Sequence, residues 1–439
     1  MIYFDISDIV VFSQCSNVVS GIQRVVFNLA KELRSENNVK FIYRNLGNGK
    51  WYSLEGVSFP EDGDIRDFNL LNENWKLSRI KWSFTKRRIL EKRGFHKIKH
   101  LVRFFKSVFV RPILKSDRVI VKGMCIENFD VENIREEDYL VIPSIPQNAL
   151  EYRSFIEGLP KKIKVCYFFH DIIPVVTPEY VWGEENKNFI KYIDLMHSTA
   201  SLLLTSANYN VEDYKRYIYN RFGLYPQYEI KAIGLPVDFS VNIDDSNFYN
   251  ISPIGRRLKN YHFCLSVGSI GPRKNHFELL QAWKKFYDSD KYNNQILVVA
   301  GTPWPSCPDI VSLLRSNFCG GSVIFIESPS DVELAYLYKY CKFTICISLY
   351  EGWGLPVSES LAVGKPVIVL DQTTLKEAGY GVASLVKSRD LEELRNRIDV
   401  MFNDDNFYTK EIEKVNNAKK LLPSWCDFAN NFKSSLKNN

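Results

Sequence analysis

Two glutamates, Glu351 and Glu359, stand eight positions apart in residues 348–369, which read SLYEGWGLPVSESLAVGKPVIV. The apolar run before them predicts a buried strand, and the proline after Leu355 suits the first turn of a helix that carries Glu359 one turn inside. The N-terminus of such a helix exposes unpaired backbone N–H groups. We therefore expect Gly354 and Leu355 to meet an anion such as a phosphate.

A phosphate bound at that turn would have one carboxylate on the loop before it and the other on the helix behind it. Both carboxylates could then accept hydrogen bonds from hydroxyl groups on either side of the phosphate, an arrangement that suits a nucleotide sugar. The alternative interpretation is two surface glutamates that flank a tight strand-to-helix turn. The Gly-Trp-Gly-Leu-Pro sequence between them disfavours that alternative, because glycines let a ligand approach the backbone closely.

Apolar strand-like runs alternate with helical periodicities along the chain, which predicts parallel sheets covered by helices. The runs are MIYFDI, KFIYRNL, YLVIPSI, KVCYFFH, SLLLTS and YEIKAIGL, then HFCLSVG, QILVVAG, SVIFIES, FTICIS and KPVIVLD. Polar residues 239–260 separate the two series, and 439 residues with 45% apolar content suffice for two domains. Ligands of such folds bind at the carboxyl ends of the strands, so we expect a cleft there.

The composition narrows the class of protein. No run of about 18 uncharged apolar residues is present, and the first residues, MIYFDISDIVVF, show no charged leader before an apolar region. The nine cysteines are scattered and include no C-x-x-C pair of the kind that zinc or redox sites use. We therefore expect a cytoplasmic protein, bound at most peripherally to the inner face of the cytoplasmic membrane.

Residues 75–118 carry fifteen Lys and Arg residues against two acidic ones, although the net charge of the whole chain is only +6. Within them Ile98, Leu101, Phe105 and Phe109 recur at helical spacing among basic residues, which predicts a basic amphipathic helix. This helix binds an anionic membrane surface in one interpretation and packs on its own domain in another. Nucleic acid is not an expected partner, because no zinc-finger, RNP or recognition-helix pattern accompanies the charge.

With these motifs the chain resembles the retaining nucleotide-sugar glycosyltransferases of family 4, which carry an E-x7-E signature. The segments SVGSIGPRKNHFELLQAW and ELAYLYKYCKFTICISLYEGWGLP resemble the family around and before that signature. DISDIV with SGIQRVVFNLAKEL resembles its first loop and helix, YFFHDIIPVVTPEY the loop that supplies a histidine, and SWCDFA the start of its last helix. The resemblance covers most of the chain apart from residues 75–118 and the linker.

The resemblance implies an α/β fold of the GT-B class, in which two Rossmann-like, doubly wound parallel-sheet domains face a central cleft. We expect an acceptor-side domain at residues 1–245 and a nucleotide-sugar donor domain at residues 256–422. The C-terminal helix at residues 423–439 is expected to cross back to the first domain.

The family roles carry over to the matching residues as implications of the resemblance. Glu359 binds the ribose hydroxyls, while Glu351 faces the donor sugar ring and steadies positive charge as the bond to phosphate breaks. Arg273 and Lys274 neutralise the diphosphate leaving group, and His170, which ends the run KVCYFFH, contacts the donor sugar. The alternatives are a solvated basic pair and a structural histidine.

Two glycines complete the implied donor site. Gly21 lets the first loop pass close to the diphosphate, with Gln23 and Arg24 at the start of the first helix, and Gly268 ends the strand before the basic pair. Some relatives have an arginine directly after the glycine that matches Gly268, where this chain has Ser269. Phosphate contact is therefore expected to rest on the basic pair without a third cation.

No metal and no cofactor are expected. The D-x-D triplets at residues 62–64 and 288–290 do not end predicted strands, and cationic side chains with a helix N-terminus can stabilise the leaving group without an ion. The expected donor substrate is a nucleoside-diphosphate sugar, with GDP-mannose favoured.

The sequence thus predicts an enzyme, a retaining hexosyltransferase of polysaccharide biosynthesis. Mannose, or alternatively rhamnose, would pass to a hydroxyl of a growing lipid-linked bacterial surface glycan, because the GIQRV and HDIIP variants resemble family members of O-antigen and capsule assembly. The alternatives are a non-catalytic nucleotide-sugar-binding or scaffold protein, and a GT-B-shaped epimerase or phosphorylase. Base and sugar contacts are expected from residues 301–305 and 328–332, which leave the base, sugar and linkage open.

Overall fold

The chain forms two compact units, Met1–Tyr167 and Phe168–Asn439. The predicted domain limits, at residues 245 and 256, do not coincide with this division between Tyr167 and Phe168. They stay a prediction. The computed structural model describes residues 1–15, 21–45, 49–55, 57, 59, 118–121, 124–129, 134–146, 149–160, 163–181, 183–237, 239, 250–371, 373–420 and 422–437.

The first unit is built on a sheet whose centre is parallel and whose one side is antiparallel. Its strands are β1 (Ile2–Asp5), β2 (Val39–Arg44), β3 (Trp51–Glu55), β4 (Arg118–Val121), β5 (Met124–Asn128), β6 (Tyr139–Ile142) and β7 (Lys164–Phe169), the last of which continues into the second unit. They lie in the order β4-β5-β3-β2-β1-β6-β7. β1 is parallel to β2 and β6, whereas β3 is antiparallel to β2 and β5.

Helices accompany this sheet, and the clearest apolar face is that of the second one. They are α1 (Ser7–Cys15), α2 (Gly21–Leu33) and α3 (Ala149–Glu157). In α2 the buried residues are Val25, Val26, Phe27, Leu29, Ala30 and Leu33. The crossover through α1 and α2 allows β1 and β2 to run parallel, while the short β2–β3 connection makes that pair antiparallel.

The second unit contains a six-stranded parallel sheet. Its strands are β10 (Phe263–Val267), β11 (Ile296–Gly301), β12 (Val323–Glu327), β13 (Phe343–Cys346), β14 (Val367–Leu370) and β15 (Ser384–Val386), and a parallel pair, β8 (Leu202–Thr205) and β9 (Glu229–Ala232), precedes them. The six strands lie in the order β12-β11-β10-β13-β14-β15. β11, β13 and β14 are buried along their whole length, as expected of parallel strands covered on both faces.

In the described part of the second unit, single α-helices separate the strands from β8 to β15, two α-helices precede β8, and three follow β15. They are α4 (Ile173–Val176), α5 (Gly183–Thr199), α6 (Asn208–Phe222), α7 (Pro253–Leu258), α8 (His276–Tyr287), α9 (Pro308–Leu314), α10 (Asp331–Tyr340), α11 (Leu355–Ala362), α12 (Thr373–Ala378), α13 (Leu391–Asn403), α14 (Asp405–Lys419) and α15 (Trp425–Lys437). In α15 the ring of Phe428 packs edge-on against Phe168, 5.8 Å between centroids. That the last helix crosses between domains stays a prediction.

Two sequence predictions fall on parts of the chain that the structure does not describe. The basic amphipathic helix predicted within residues 75–118 lies outside the described residues. Of that segment the structure describes only Arg118, which begins the strand β4. The triplet at residues 62–64 also lies outside them. Among the helices that are described, none is both long and apolar enough to cross a membrane.

Candidate active site

The loop that joins β13 to α11 carries Glu351 and is shaped by two glycines. Gly354 precedes α11 with a φ of 105°, and a β-carbon there would lie 2.7 Å from Cδ2 of Leu375. A β-carbon on Gly352 would lie 2.5 Å from the carbonyl oxygen of His170. Real β-carbons essentially never come within 3.0 Å of another residue's atoms. Both positions therefore require glycine, and the residue that follows β7 lies directly against the Glu351 loop.

Glu351 is a buried carboxylate held between two cations. Nη1 of Arg273 lies 2.6 Å from its Oε2, and Nζ of Lys274 forms an ion pair with its Oε1. The same Nη1 donates to the carbonyl oxygen of Tyr350 at 2.5 Å, and the hydroxyl of Thr374 donates to the carbonyl oxygen of Glu351 at 2.8 Å. The structure thus brings together three of the predicted catalytic residues.

The charge state of Glu351 is decided by a competition between burial and these cations. Burial raises the pKa of the carboxyl, but the charges of Lys274 and Arg273 and a hydrogen bond from Lys274 outweigh it and hold the pKa at about 2. Glu351 is therefore ionised at neutral pH. A buried ion pair of this kind costs several kcal/mol to break by removing one partner, roughly 3–5 kcal/mol, because the remaining charge is left without compensation.

Two further glycines bring Lys274 to this position. A β-carbon on Gly268 would lie 3.1 Å from Cε of Lys274, and one on Gly301 would lie 1.8 Å from the carbonyl oxygen of Gly268. Gly268 therefore makes room for the aliphatic part of the lysine, and Gly301 makes room for the main chain of Gly268. The predicted contact of Gly268 with a donor stays a prediction.

Glu359 lies one turn inside α11, as the sequence predicts, and has a different environment from Glu351. Its side chain is 8% exposed, and its Oε2 accepts a hydrogen bond of 2.7 Å from the hydroxyl of Tyr338 in α10. Burial, followed by the charge of Glu359, raises the pKa of Tyr338 well above its ordinary value. The hydroxyl of Tyr338 therefore keeps its proton, and its hydrogen bond fixes the orientation of this carboxylate.

The N-terminus of α11 lies where the sequence predicts it. Leu355 is its first residue, Pro356 is its second, and Gly354 is the cap. The N–H of Val357 bonds to the carbonyl oxygen of Gly354 at 2.8 Å. An anion at this turn would meet the positive end of the helix dipole, and the donor contacts of Gly354 and Leu355 stay predictions.

His170 follows β7 directly and is 9% exposed. Its ring packs edge-on against Phe168 with 5.0 Å between the ring centroids, and its main chain touches Gly352. The main chain of His170 is therefore packed against the loop that carries Glu351. Its predicted contact with the donor sugar stays a prediction.

Gly21 lies in the first unit, where it is the exposed first residue of α2. Two residues later, Nε2 of Gln23 donates to Oδ2 of Asp8 at 2.7 Å. Burial raises the pKa of Asp8, which the hydrogen bond from Gln23 partly offsets. The approach of Gly21 and Arg24 to a diphosphate stays a prediction.

Sequence reasoning missed several polar residues around the Glu351 loop. Asn210 and Ser206 are buried and bond to the carbonyl oxygen of Gly352, and Asp213 bonds to the hydroxyl of Tyr350. The one signal available was the polar sequence TSANYN directly after the apolar run SLLL. Polar side chains at the carboxyl end of a parallel strand are placed for a ligand site.

Asp171 was also missed, although it follows His170 in the sequence. Its Oδ1 accepts from the N–H of Ile173 at 3.0 Å. Burial raises its pKa, the hydrogen bond and the charge of Arg273 oppose that, and the charge of Glu351 reinforces it. Asp171 is thus an electrostatic neighbour of the ion pair at Glu351.

In the part of the chain that the structure describes, no three His, Cys, Asp or Glu side chains are grouped so that they could hold a metal ion. The triplet at residues 288–290 follows the end of α8, where Asp288 forms an exposed ion pair with Lys284. The expectation of a metal-free reaction stays a prediction.

Comparison with known proteins finds similarity to sugar-transferring enzymes, mainly in the second unit. Residues 250–420 match the family described as glycosyl transferases group 1. The O-antigen chain mannosyltransferase B of Escherichia coli is 25% identical over 247 residues, which are 54% of this chain and 61% of that protein. The serotype-specific mannosyltransferase WbdA of Escherichia coli is 24% identical over 309 residues, 68% of this chain and 36% of WbdA. The match thus spans less than two thirds of either relative.

Solved structures with the same fold cover the whole chain. A sucrose-phosphate synthase from Thermosynechococcus elongatus has a TM-score of 0.58 at 14% identity, over 100% of this chain and 98% of that one. HepE of Anabaena, in complex with UDP and glucose, has a TM-score of 0.56 at 13% identity, over 100% and 99%. The predicted GT-B fold class, with two parallel-sheet α/β units, is confirmed, and the assignment to family 4 in particular stays a prediction.

Proposed function

We propose that the protein is a retaining glycosyltransferase of family 4 that transfers mannose from GDP-mannose to a growing bacterial surface glycan. The observation that carries the proposal is the ionised, buried Glu351 between Arg273 and Lys274 on the loop before α11. The match of residues 250–420 to glycosyl transferases group 1 supports the reaction class. The names of the relatives support mannose as the sugar and O antigen as the glycan.

The two cations answer the main electrostatic demand of this reaction. The bond between C1 of the sugar and the phosphate oxygen breaks with its electron pair left on the diphosphate, while the acceptor oxygen bonds to C1 and passes its proton to the leaving diphosphate. Arg273 and Lys274 would stabilise the developing negative charge without an ion. A guanidinium has five N–H donors and an ammonium has three, so the pair can serve Glu351 and a diphosphate together.

The two glutamates would act on different parts of the donor. Glu359, whose carboxylate is fixed by Tyr338, would accept hydrogen bonds from the ribose hydroxyls. Glu351 would stabilise positive charge on the sugar ring, since its low pKa keeps it an anion throughout the working range of pH. His170, on the adjoining backbone, would contact the sugar.

The acceptor side of the proposal rests on the sequence and the relatives. A lipid-linked acceptor would be reached at the inner face of the cytoplasmic membrane, with residues 75–118 as a peripheral attachment to anionic lipid. Fifteen basic residues in that segment support this part of the proposal.

A thermal-shift screen with GDP, UDP and dTDP and their sugars, followed by NMR of the product, tests the function. A ligand at 100 times its dissociation constant adds about 2.7 kcal/mol to stability, so GDP-mannose should raise the melting temperature most. NMR should show a mannoside that keeps the anomeric configuration of the donor. Stabilisation without donor hydrolysis or transfer would establish the binding-protein alternative, and a free sugar isomer or dependence on phosphate would establish an epimerase or phosphorylase.

A matched pair of lysine variants tests the assigned role of the cation. Lys274→Met should lower kcat by roughly a hundred- to a thousandfold, the effect of losing one donor to a developing anion. Lys285→Met makes the same change in an exposed ion pair with Glu392 and should leave kcat unchanged. Equal activity of the two variants would remove Lys274 from the reaction.

A further inference from the structure

Both chain neighbours of Glu351 are bonded to one short stretch of the second unit, residues 206–213. The carbonyl oxygen of Gly352 accepts from Nδ2 of Asn210 at 2.8 Å and from the hydroxyl of Ser206 at 2.9 Å. On the other side, the hydroxyl of Tyr350 donates to Oδ2 of Asp213. The loop that carries Glu351 is therefore attached to the start of α6 at two points that flank the carboxylate.

Asn210 also holds the residue that follows β7. Its Nδ2 lies 3.2 Å from the carbonyl oxygen of His170, and 3.1 and 3.0 Å from the hydroxyls of Thr205 and Ser206. An amide nitrogen has two hydrogens, and the two carbonyl oxygens can only accept, whereas the hydroxyls can rotate to donate elsewhere. The two hydrogens therefore go to His170 and Gly352.

The orientation of this amide is fixed by its surroundings. Asn210 is fully buried, and among the described residues its Oδ1 has no hydrogen-bond partner. A flipped amide would point that oxygen at two carbonyl oxygens, which is repulsive. The oxygen of this side chain is thus left without a hydrogen bond, which is unfavourable in a buried position, while its nitrogen bonds to two backbone segments.

The start of α6 is itself anchored. The carboxylate of Glu377 in α12 accepts from the N–H of Asn208 at 2.8 Å and from the N–H of Tyr209 at 2.9 Å. Those N–H groups belong to the first turn, which has no partner inside the helix. The helical turn that carries Asn210 is therefore held in place by Glu377.

We propose that Asn210 is a positioning residue, which sets the Glu351 carboxylate between its two cations and fixes His170 beside it; Tyr350 assists from the other side. The catalytic part of this inference rests on the proposed function. No contact of Asn210 with substrate is invoked, because its amide is fully buried and committed to the two backbone carbonyls.

Asn210→Leu is the first test, because leucine has nearly the same shape and also removes the orphaned oxygen. We expect kcat to fall roughly ten- to a hundredfold, the effect of misplacing a reacting group by a fraction of an ångström. GDP affinity and the number of GDP sites per chain should stay at the wild-type values. Tyr350→Phe should also lower kcat, while Tyr408→Phe, which removes a hydroxyl that donates to the carbonyl oxygen of Lys342 elsewhere in the unit, should leave kcat unchanged.

A double-mutant cycle in urea separates the inference from the proposed function. If Asn210 positions Glu351, then Glu351→Gln should lower the urea midpoint less in the Asn210→Leu background than in the wild type, because the ion pair is already misplaced. Coupling in a protein that transfers no sugar would refute the proposed function and keep the positioning role. Two outcomes would overturn the positioning role. The first is sugar transfer with an unchanged kcat in Asn210→Leu and no coupling between the two substitutions, and the second is a loss of kcat matched by an equal loss of GDP sites.

Discussion

The buried charge of Glu351 should make the stability of the protein depend on pH in a way that one substitution reveals. Folding lowers the pKa of this carboxyl from its ordinary value of 4.5 to about 2. Its contribution is therefore fully present at pH values above 4.5 and is lost as the pH falls through about 2. By linkage the contribution is about 3 kcal/mol at pH 7 and about 1 kcal/mol at pH 3.

Glu351→Gln removes that titration while keeping the shape of the side chain. The variant should be less stable than the wild type at pH 7, and the difference should shrink by about 2 kcal/mol at pH 3. Effects of the glutamine that do not depend on pH cancel in this comparison. The change with pH is therefore assigned to the carboxyl of Glu351, the group that the substitution removes.

Urea denaturation of both proteins at pH 7 and pH 3 measures the effect. The carboxyl of Asp171 interacts with Glu351, so the measurement should be repeated in an Asp171→Asn background, where the shrinkage should persist. Glu392→Gln, which removes an exposed ion pair with Lys285, should change stability by at most about 1 kcal/mol. A difference between wild type and Glu351→Gln that is equal at the two pH values would refute the reasoning.

Four further outcomes are expected. Glu359→Ala should chiefly weaken GDP binding, whereas Glu351→Ala should lower turnover more than donor affinity, because an interaction made in the transition state appears in the rate; equal small effects of both would contradict the role assignment. Tyr338→Phe should weaken GDP binding by about 1 kcal/mol through a less fixed Glu359, measured by calorimetry. EDTA should leave the rate unchanged and NMR should show retention of configuration, and inversion would exclude the family. Binding to anionic liposomes should fall with salt, which screens charge beyond about 10 Å at 0.1 M. Binding should be lost, while donor hydrolysis stays intact, when four basic residues are changed to glutamine: Lys97, Lys99, Arg103 and Lys106.

The parallel framework of both units could be predicted from the sequence, because buried parallel strands are continuous apolar runs. Each run named from the sequence contains a strand, from β1 to β14. The strands that were missed are β3, β4, β5 and β15. β3 alternates buried with partly exposed residues, and β15 has three residues, so neither stands out from a loop in the sequence.

The sequence predicted which residues belong to the candidate site, but it did not predict which of them contact each other. Glu351, Arg273 and Lys274 were named, but the ion pair between Lys274 and Glu351 joins positions that are 77 residues apart. What brings them together is the pairing of β10 with β13, which sets the carboxyl ends of those strands side by side. Asn210 could not be found in this way, since the polar sequence TSANYN marks the end of a strand but does not show which of its residues faces the Glu351 loop.

In the proposed reaction, the ion triad of Glu351, Arg273 and Lys274 would hold two cations ready and then release them to a substrate. Without Glu351, Arg273 and Lys274 would repel each other in a buried position, and desolvation would disfavour both charges. Glu351 removes that penalty and fixes the geometry of the cations before a donor arrives, which is the preorganisation that transition-state stabilisation requires. The same carboxylate must then share its cations with the diphosphate, so the proposed reaction favours rate over donor affinity. Asn210 and Tyr350, which hold the Glu351 loop, would keep the carboxylate in place during that proposed exchange of partners.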